Sequence, residues 1–123
     1  MLSLSTQLKI FVYTKAADMR KGIDGLSGIV RGEFNADPTD GSLFVFVNRQ
    51  RDRMKLLHFE GGGFWLYYRV LEAGTFESLP TQPDINPHPI DATQLTMWLS
   101  GISLVAAEKR RKRFVLPREK VVA

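Results

Sequence analysis

With 123 residues and 44% apolar content, the chain is long enough to bury a core without metal or disulfide staples and too apolar for wholesale disorder. The absence of cysteine excludes disulfides, thiolate zinc sites, iron–sulfur ligation and a cysteine nucleophile. The net charge of +4 is uneven: residues 108–120 hold seven of the 17 basic and only two of the 13 acidic residues, so the basic character belongs mainly to a tail.

No apolar run approaches the roughly 20 residues of a membrane span. The start, MLSLSTQLKIFVYTK, lacks the basic-then-apolar order of a signal peptide, so a soluble, cytoplasmic protein is expected.

Lys9 to Tyr13, KIFVY, reads as a short strand. Asp18 then stands where a helix N-cap belongs. Met19, Ile23, Leu26, Val30 and Phe34 follow at spacings of three and four, which is one face of an amphipathic helix. Gly22, Gly25 and Gly28 fall inside it, each costing about 1 kcal/mol against alanine. Close packing of the helix on a sheet is the favoured account of them; a backbone surface open to a partner is the other.

NADPTDGS (35–42) is a loop, with Pro38 and Asp40-Gly41 as its signals. Residues 43–71 then give three apolar and aromatic runs separated by a basic turn and a triple glycine, the pattern of a three-stranded antiparallel meander. In the first turn Arg49, Arg51, Arg53 and Lys55 occupy alternate positions. If that segment is extended, the four cations share one side, either as a solvated hairpin edge or as a phosphate-contacting ridge. Gly61–Gly63 lacks the lysine and following helix of a phosphate loop and reads as a hairpin turn. Phe64, Leu66, Tyr68 and Val70 should cover the helix. Trp65, Tyr67, Arg69 and Leu71 take the other face, which is too aromatic for plain solvent. A second layer, supplied by the C-terminal helix, or a partner should cover it.

Leu79 to Pro89 is a proline-rich crossover. Asp91 caps a short helix whose apolar stripe is Leu95, Trp98, Leu99 and Ile102, and Gly101 stops it. Lys109, Arg110, Arg111, Lys112 and Arg113 form a solvated basic run. The expected fold class is α+β: an antiparallel sheet of about four strands packed by one amphipathic helix, in one domain over 1–107, with a basic tail over 108–123.

No catalytic constellation emerges. His58 and His88 have no carboxylate at ligand spacing, so structural or surface roles are expected, with no metal and no cofactor. The acids are scattered, and the serines lack nucleophile-elbow glycines.

Three blocks together, DMRKGIDGLSGIV (18–30), DPTDGSLFVFVNRQRDRMKLLHFEGGGFWLYYRVLEAGTF (37–76) and LTMWLSGI (95–102), resemble the TnpB accessory proteins of the insertion-sequence family numbered sixty-six. The RNA-guided nucleases of the same name are several times longer and carry a cysteine zinc ribbon, so this chain is not similar to them. The motif positions are Asp18, Met19, Arg20, Lys21, Gly22, Asn48, Arg49, Arg51, Asp52, Arg53, Lys55, Phe64, Trp65 and Tyr68. The proline-rich part after Phe76 departs from the family pattern. The resemblance implies a non-catalytic factor for transposition, working beside a separate transposase. Two readings follow. In one, Arg49, Arg51, Arg53 and Lys55 contact phosphates of DNA at the element ends, with Arg20, Lys21 and the 109–113 run adding affinity. In the other, Trp65, Tyr67, Arg69 and the glycine side of the first helix bind the transposase or a second copy of the chain.

Overall fold

The computed structural model describes residues 7–79 and 84–100. Their elements are β1 (Ile10–Val12), α1 (Ile23–Glu33), β2 (Leu43–Val47), β3 (Arg53–Glu60), β4 (Gly63–Val70), β5 (His88–Ile90) and α2 (Ala92–Leu99). One five-stranded sheet runs in the order β4-β3-β2-β1-β5. The meander β2–β3–β4 is antiparallel, as its turn chemistry demands, with Phe46 opposite Lys55 and Leu57 opposite Leu66.

The fold is α+β as expected, but the sheet has five strands and is mixed. β1 lies parallel to β2, because α1 carries the chain back before β2 begins, and antiparallel to β5. The fifth strand falls in the proline-rich crossover. Pro89 cannot donate to a ladder, and β5 is an edge strand, where that loss is tolerated.

Every residue of β2 is buried, the mark of a central strand covered on both faces. On one face Phe44, Phe46 and Leu57 pack with Leu26 and Val30 of α1, and Phe64 and Leu66 join them. On the other, Ile10, Val12, Leu43, Val45, Met54, Leu56 and Ile90 pack with Phe76 and with Leu95 and Trp98 of α2. The second layer therefore exists. It reaches Tyr67 and Leu71 but leaves Trp65 47% exposed.

α2 begins at Asp91, whose carboxylate accepts from the Gln94 backbone N–H at 2.7 Å, while the Gln94 side chain accepts from the Asp91 N–H at 2.9 Å. This reciprocal pair is a capping box. α1 does not begin at Asp18; its N-cap is Gly22. Asp18 instead accepts from the backbone N–H and the guanidinium of Arg20. The carbonyls of Met19 and Lys21, which a longer helix would use internally, accept from the ammonium of Lys55. Gly101, Ile102 and the basic run Lys109–Arg113 lie outside the described residues.

Candidate nucleic-acid interface

The basic turn between β2 and β3 is not extended. Arg51 has φ +57. Asn48 closes the loop from within: its Oδ1 accepts from the N–H groups of Asp52 and Arg53, both at 3.1 Å, and its Nδ2 donates to the Asp52 carboxylate at 2.8 Å. The segment after β4 buttresses it, with Phe76 N–H donating to Arg51 O at 2.6 Å and Arg51 Nε donating to Phe76 O at 3.2 Å. The expected one-sided row of four cations is thus corrected. Arg49 and Arg51 stand on a folded turn, and only Arg53 and Lys55 share a strand face.

Lys55 leaves the surface altogether. It is 8% exposed, its Nζ donates to Met19 O at 2.8 Å and Lys21 O at 2.9 Å, and it sits 4.9 Å from the centre of the Tyr68 ring. A desolvated ammonium is tolerable there because two carbonyls and a ring face receive it. Sequence pattern missed this because its partners lie 34 and 36 residues away. The lysine joins the two motif blocks, DMRKG and NRxRDRxK.

Arg49, Arg51 and Arg53 are exposed, and the charge of Asp52 reaches Arg53. Arg53 bonds the Tyr68 hydroxyl at 3.3 Å, which holds its guanidinium above its ordinary pKa. Lys21 is exposed. Arg20 is paired with Asp18 at 2.9 Å, and the guanidinium's hydrogen bond lowers the Asp18 carboxyl to about 2. Arg20 is thereby partly neutralised as a phosphate contact.

The ends of β1 and β2 frame a cleft of about 220 Å³ beside the arginine turn. Lys15, Arg49, Arg51, Ser78, Leu79 and Trp98 are among its lining residues. Lys15 is paired with Glu33 at 3.0 Å, and that bond, with a second from the Tyr13 hydroxyl, lowers the Glu33 carboxyl below its usual range. The cleft gathers residues 12–16, 47–51 and 77–79 with α2, segments too far apart in sequence for any local pattern to reveal it.

The partner residues expected on β4 divide. Trp65 is exposed and stacks on Tyr67 at 6.1 Å. Tyr67 is half-buried, and burial, then the charge of Glu60, raises its phenol. Arg69 is exposed beside Met54. Tyr68 (49%) and Val70 (44%) are also open, because α1 does not extend over them. β4 is a sheet edge. The glycines of α1 do not pack on the sheet: a Cβ at Gly22 or Gly28 would meet nothing within 4 Å, and one at Gly25 would meet only the Lys21 side chain. The favoured packing account is therefore corrected.

His58 lies in β3 between Leu43 and Trp65, and His88 pairs with Val12 in β5. Among the described residues no group of three or more His, Asp or Glu is placed to hold a metal, and no helix is long and apolar enough to cross a membrane.

The model of the IS66 Orf2-like protein family matches residues 8–109. The chain belongs to this family. The match includes the arginine turn, the lysine-bridged DMRKG block, both helices and the start of the basic run. Two relatives come from Sinorhizobium fredii, each named as an uncharacterized protein. y4jC is 37% identical over 76 residues, covering 62% of this chain and 65% of that protein. y4hO is 30% identical over 102 residues, covering 83% of this chain and 87% of that protein. No solved structure matches the chain. Membership ties the protein to the transposition apparatus of an insertion sequence, in an accessory role.

Proposed function

We propose that the protein is a non-catalytic accessory factor that binds DNA, the element ends in particular, while the transposase performs the chemistry. It acts in the cytoplasm, alongside both. The observation that supports this most is the arginine turn. Arg49 and Arg51 stand on a loop locked by Asn48 and Phe76, and Arg53 begins the strand that follows, all three exposed. Fixed cations lose little freedom on meeting phosphates, and arginine matches phosphate geometry. Lys21 and the 109–113 run add charge, the latter on composition alone.

An electrophoretic salt titration with element-end duplex tests it. Binding should fall steeply with salt. Arg49→Ala with Arg53→Ala should lower the logarithmic slope by about one for each phosphate that the variant no longer neutralises. Replacing Lys109–Arg113 with glutamine should lower it further. No affinity at low salt, or a flat response, would overturn the DNA reading.

The second reading, a module for the transposase or a second copy, is favoured by the open aromatic edge of β4, where Trp65, Tyr68 and Val70 are exposed. Arg69 flanks it and Tyr67 backs Trp65. Here Trp65→Ala should abolish transposase capture and leave DNA binding intact. The reverse pattern rejects this reading.

A further inference from the structure

The two edges of the sheet are built differently. β5 is three residues long and carries Pro89, and shortness and proline both keep an edge from pairing further. β4 has neither protection. It is eight residues long, GFWLYYRV, without proline or lysine, and its register with β3 runs from Gly63 to Val70 with no bulge. Trp65, Tyr68 and Val70 are exposed along it, and among the described residues no strand pairs with its outer side.

Four residues of β4 present free backbone groups at that edge. Leu71 N–H donates to Asp52 O at 2.9 Å, one step beyond the Val70–Arg53 pair. Bonded and non-bonded pairs alternate along an antiparallel ladder, so Arg69, Tyr67 and Trp65 also turn their N–H and C=O toward β3. Phe64, Leu66, Tyr68 and Val70 therefore turn theirs outward. Side chains alternate as well. Tyr67 and Leu71 reach the α2 layer, so Trp65 and Arg69 share that face, while Phe64 and Leu66 pack on the α1 side with Tyr68 and Val70.

This pattern is self-complementary. With Tyr67 on a two-fold axis and a second β4 antiparallel to the first, Phe64 faces Val70 of the second copy and Leu66 faces its Tyr68. All four outward-turned residues are then bonded, by about eight hydrogen bonds, two from each bonded pair. Sliding by two residues loses part of this. One direction sets Val70 against Gly62, the other sets Phe64 against Glu72, and both of those residues lie beyond the strand. On the α2 face, Tyr67 meets Tyr67, and Arg69, the one charge on β4, lies opposite Trp65 of the second copy instead of a second Arg69. A guanidinium is attracted to an indole face, whereas like charges directly opposite repel.

We propose that the protein forms a two-fold dimer in which β4 pairs with β4 of a second copy in this register, joining two five-stranded sheets into one. This rests on the reading of β4 as an interaction edge and assigns that edge to self-association rather than to the transposase.

Sedimentation equilibrium of the protein, without DNA or transposase, should show a dimer that dissociates on dilution. Tyr68→Pro removes an outward N–H and no bond to β3, the setting in which an edge strand accepts proline. It should weaken the dimer about thirtyfold beyond Tyr68→Ala, which removes the ring alone, because two hydrogen bonds are lost across the axis. Thermal melts verify the fold of each variant. Single cysteines read the register, since the chain has none of its own. Under mild oxidation Tyr67→Cys should cross-link into a dimer, its Cβ atoms being about 5 Å apart across the axis, and Leu66→Cys and Tyr68→Cys, each two residues out of register, should not. A wild type that stays monomeric at every concentration would overturn the proposal. So would a Tyr68→Pro dimer as tight as that of Tyr68→Ala, or cross-linking through Leu66→Cys or Tyr68→Cys in preference to Tyr67→Cys. A monomer whose capture of the transposase still needs Trp65 would give the edge to the transposase and leave the interaction reading standing. A monomer that captures no transposase would remove that reading too.

Discussion

Lys55 shows how one side chain can look like a ligand contact and act as a structural bolt. Its ammonium holds the carbonyls of Met19 and Lys21 across β3. Lys55→Met should therefore cost about 1.5–3 kcal/mol in urea unfolding, the range for hydrogen bonds to a charged group. A phosphate contact at the surface would instead leave stability unchanged and lower DNA affinity. Tyr13 makes a pH-dependent contribution. Burial, and then its hydrogen bond and proximity to Glu33, raise its phenol from the usual 10.0 to about 12. A raised pKa means the folded state keeps its proton longer than the unfolded chain. The contribution is thus complete below pH 10 and is lost as pH rises through about 12. A phenolate absorbance titration should show a group ionising near pH 12 that vanishes in Tyr13→Phe.

Among the elements, α1 is the least optimised. Gly28 stands inside it, exposed, with open space where a Cβ would go. Gly28→Ala should therefore stabilise the protein by about 1 kcal/mol in thermal or denaturant unfolding. If that glycine surface meets the transposase, the same variant would gain stability and lose capture, separating folding from interaction. α2 is the opposite case: its start is written locally in Asp91 and Gln94, so its position was legible. The start of α1 was not, because Asp18 looks like a cap until Arg20 takes its carboxylate and Lys55 takes the next carbonyls.

For the whole molecule, Phe76 fastens the chain that follows β4. Its ring is 1% exposed and meets Trp98 edge-on at 6.2 Å, while its backbone bonds Arg51. Phe76→Ala should cost about 3–5 kcal/mol, read by denaturant unfolding. Because its backbone bonds Arg51, the same change should loosen the arginine turn as well as the Glu77–Leu79 wall of the cleft.

The sequence by itself determined the meander, the apolar faces of both helices, the Asp91 cap and the family. These follow from periodicity, turn chemistry and motifs that a few neighbouring residues carry. Only the tertiary structure decided that β1 joins β2 in parallel, that a proline-bearing segment serves as an edge strand, and that the four-cation row is broken. It also decided that Lys55 is interior and that a cleft opens beside Arg49 and Arg51. Each of these depends on hydrogen bonds or packing between segments tens of residues apart. Whether carbonyls or water solvate a side chain such as Lys55 is settled by what the fold brings within reach.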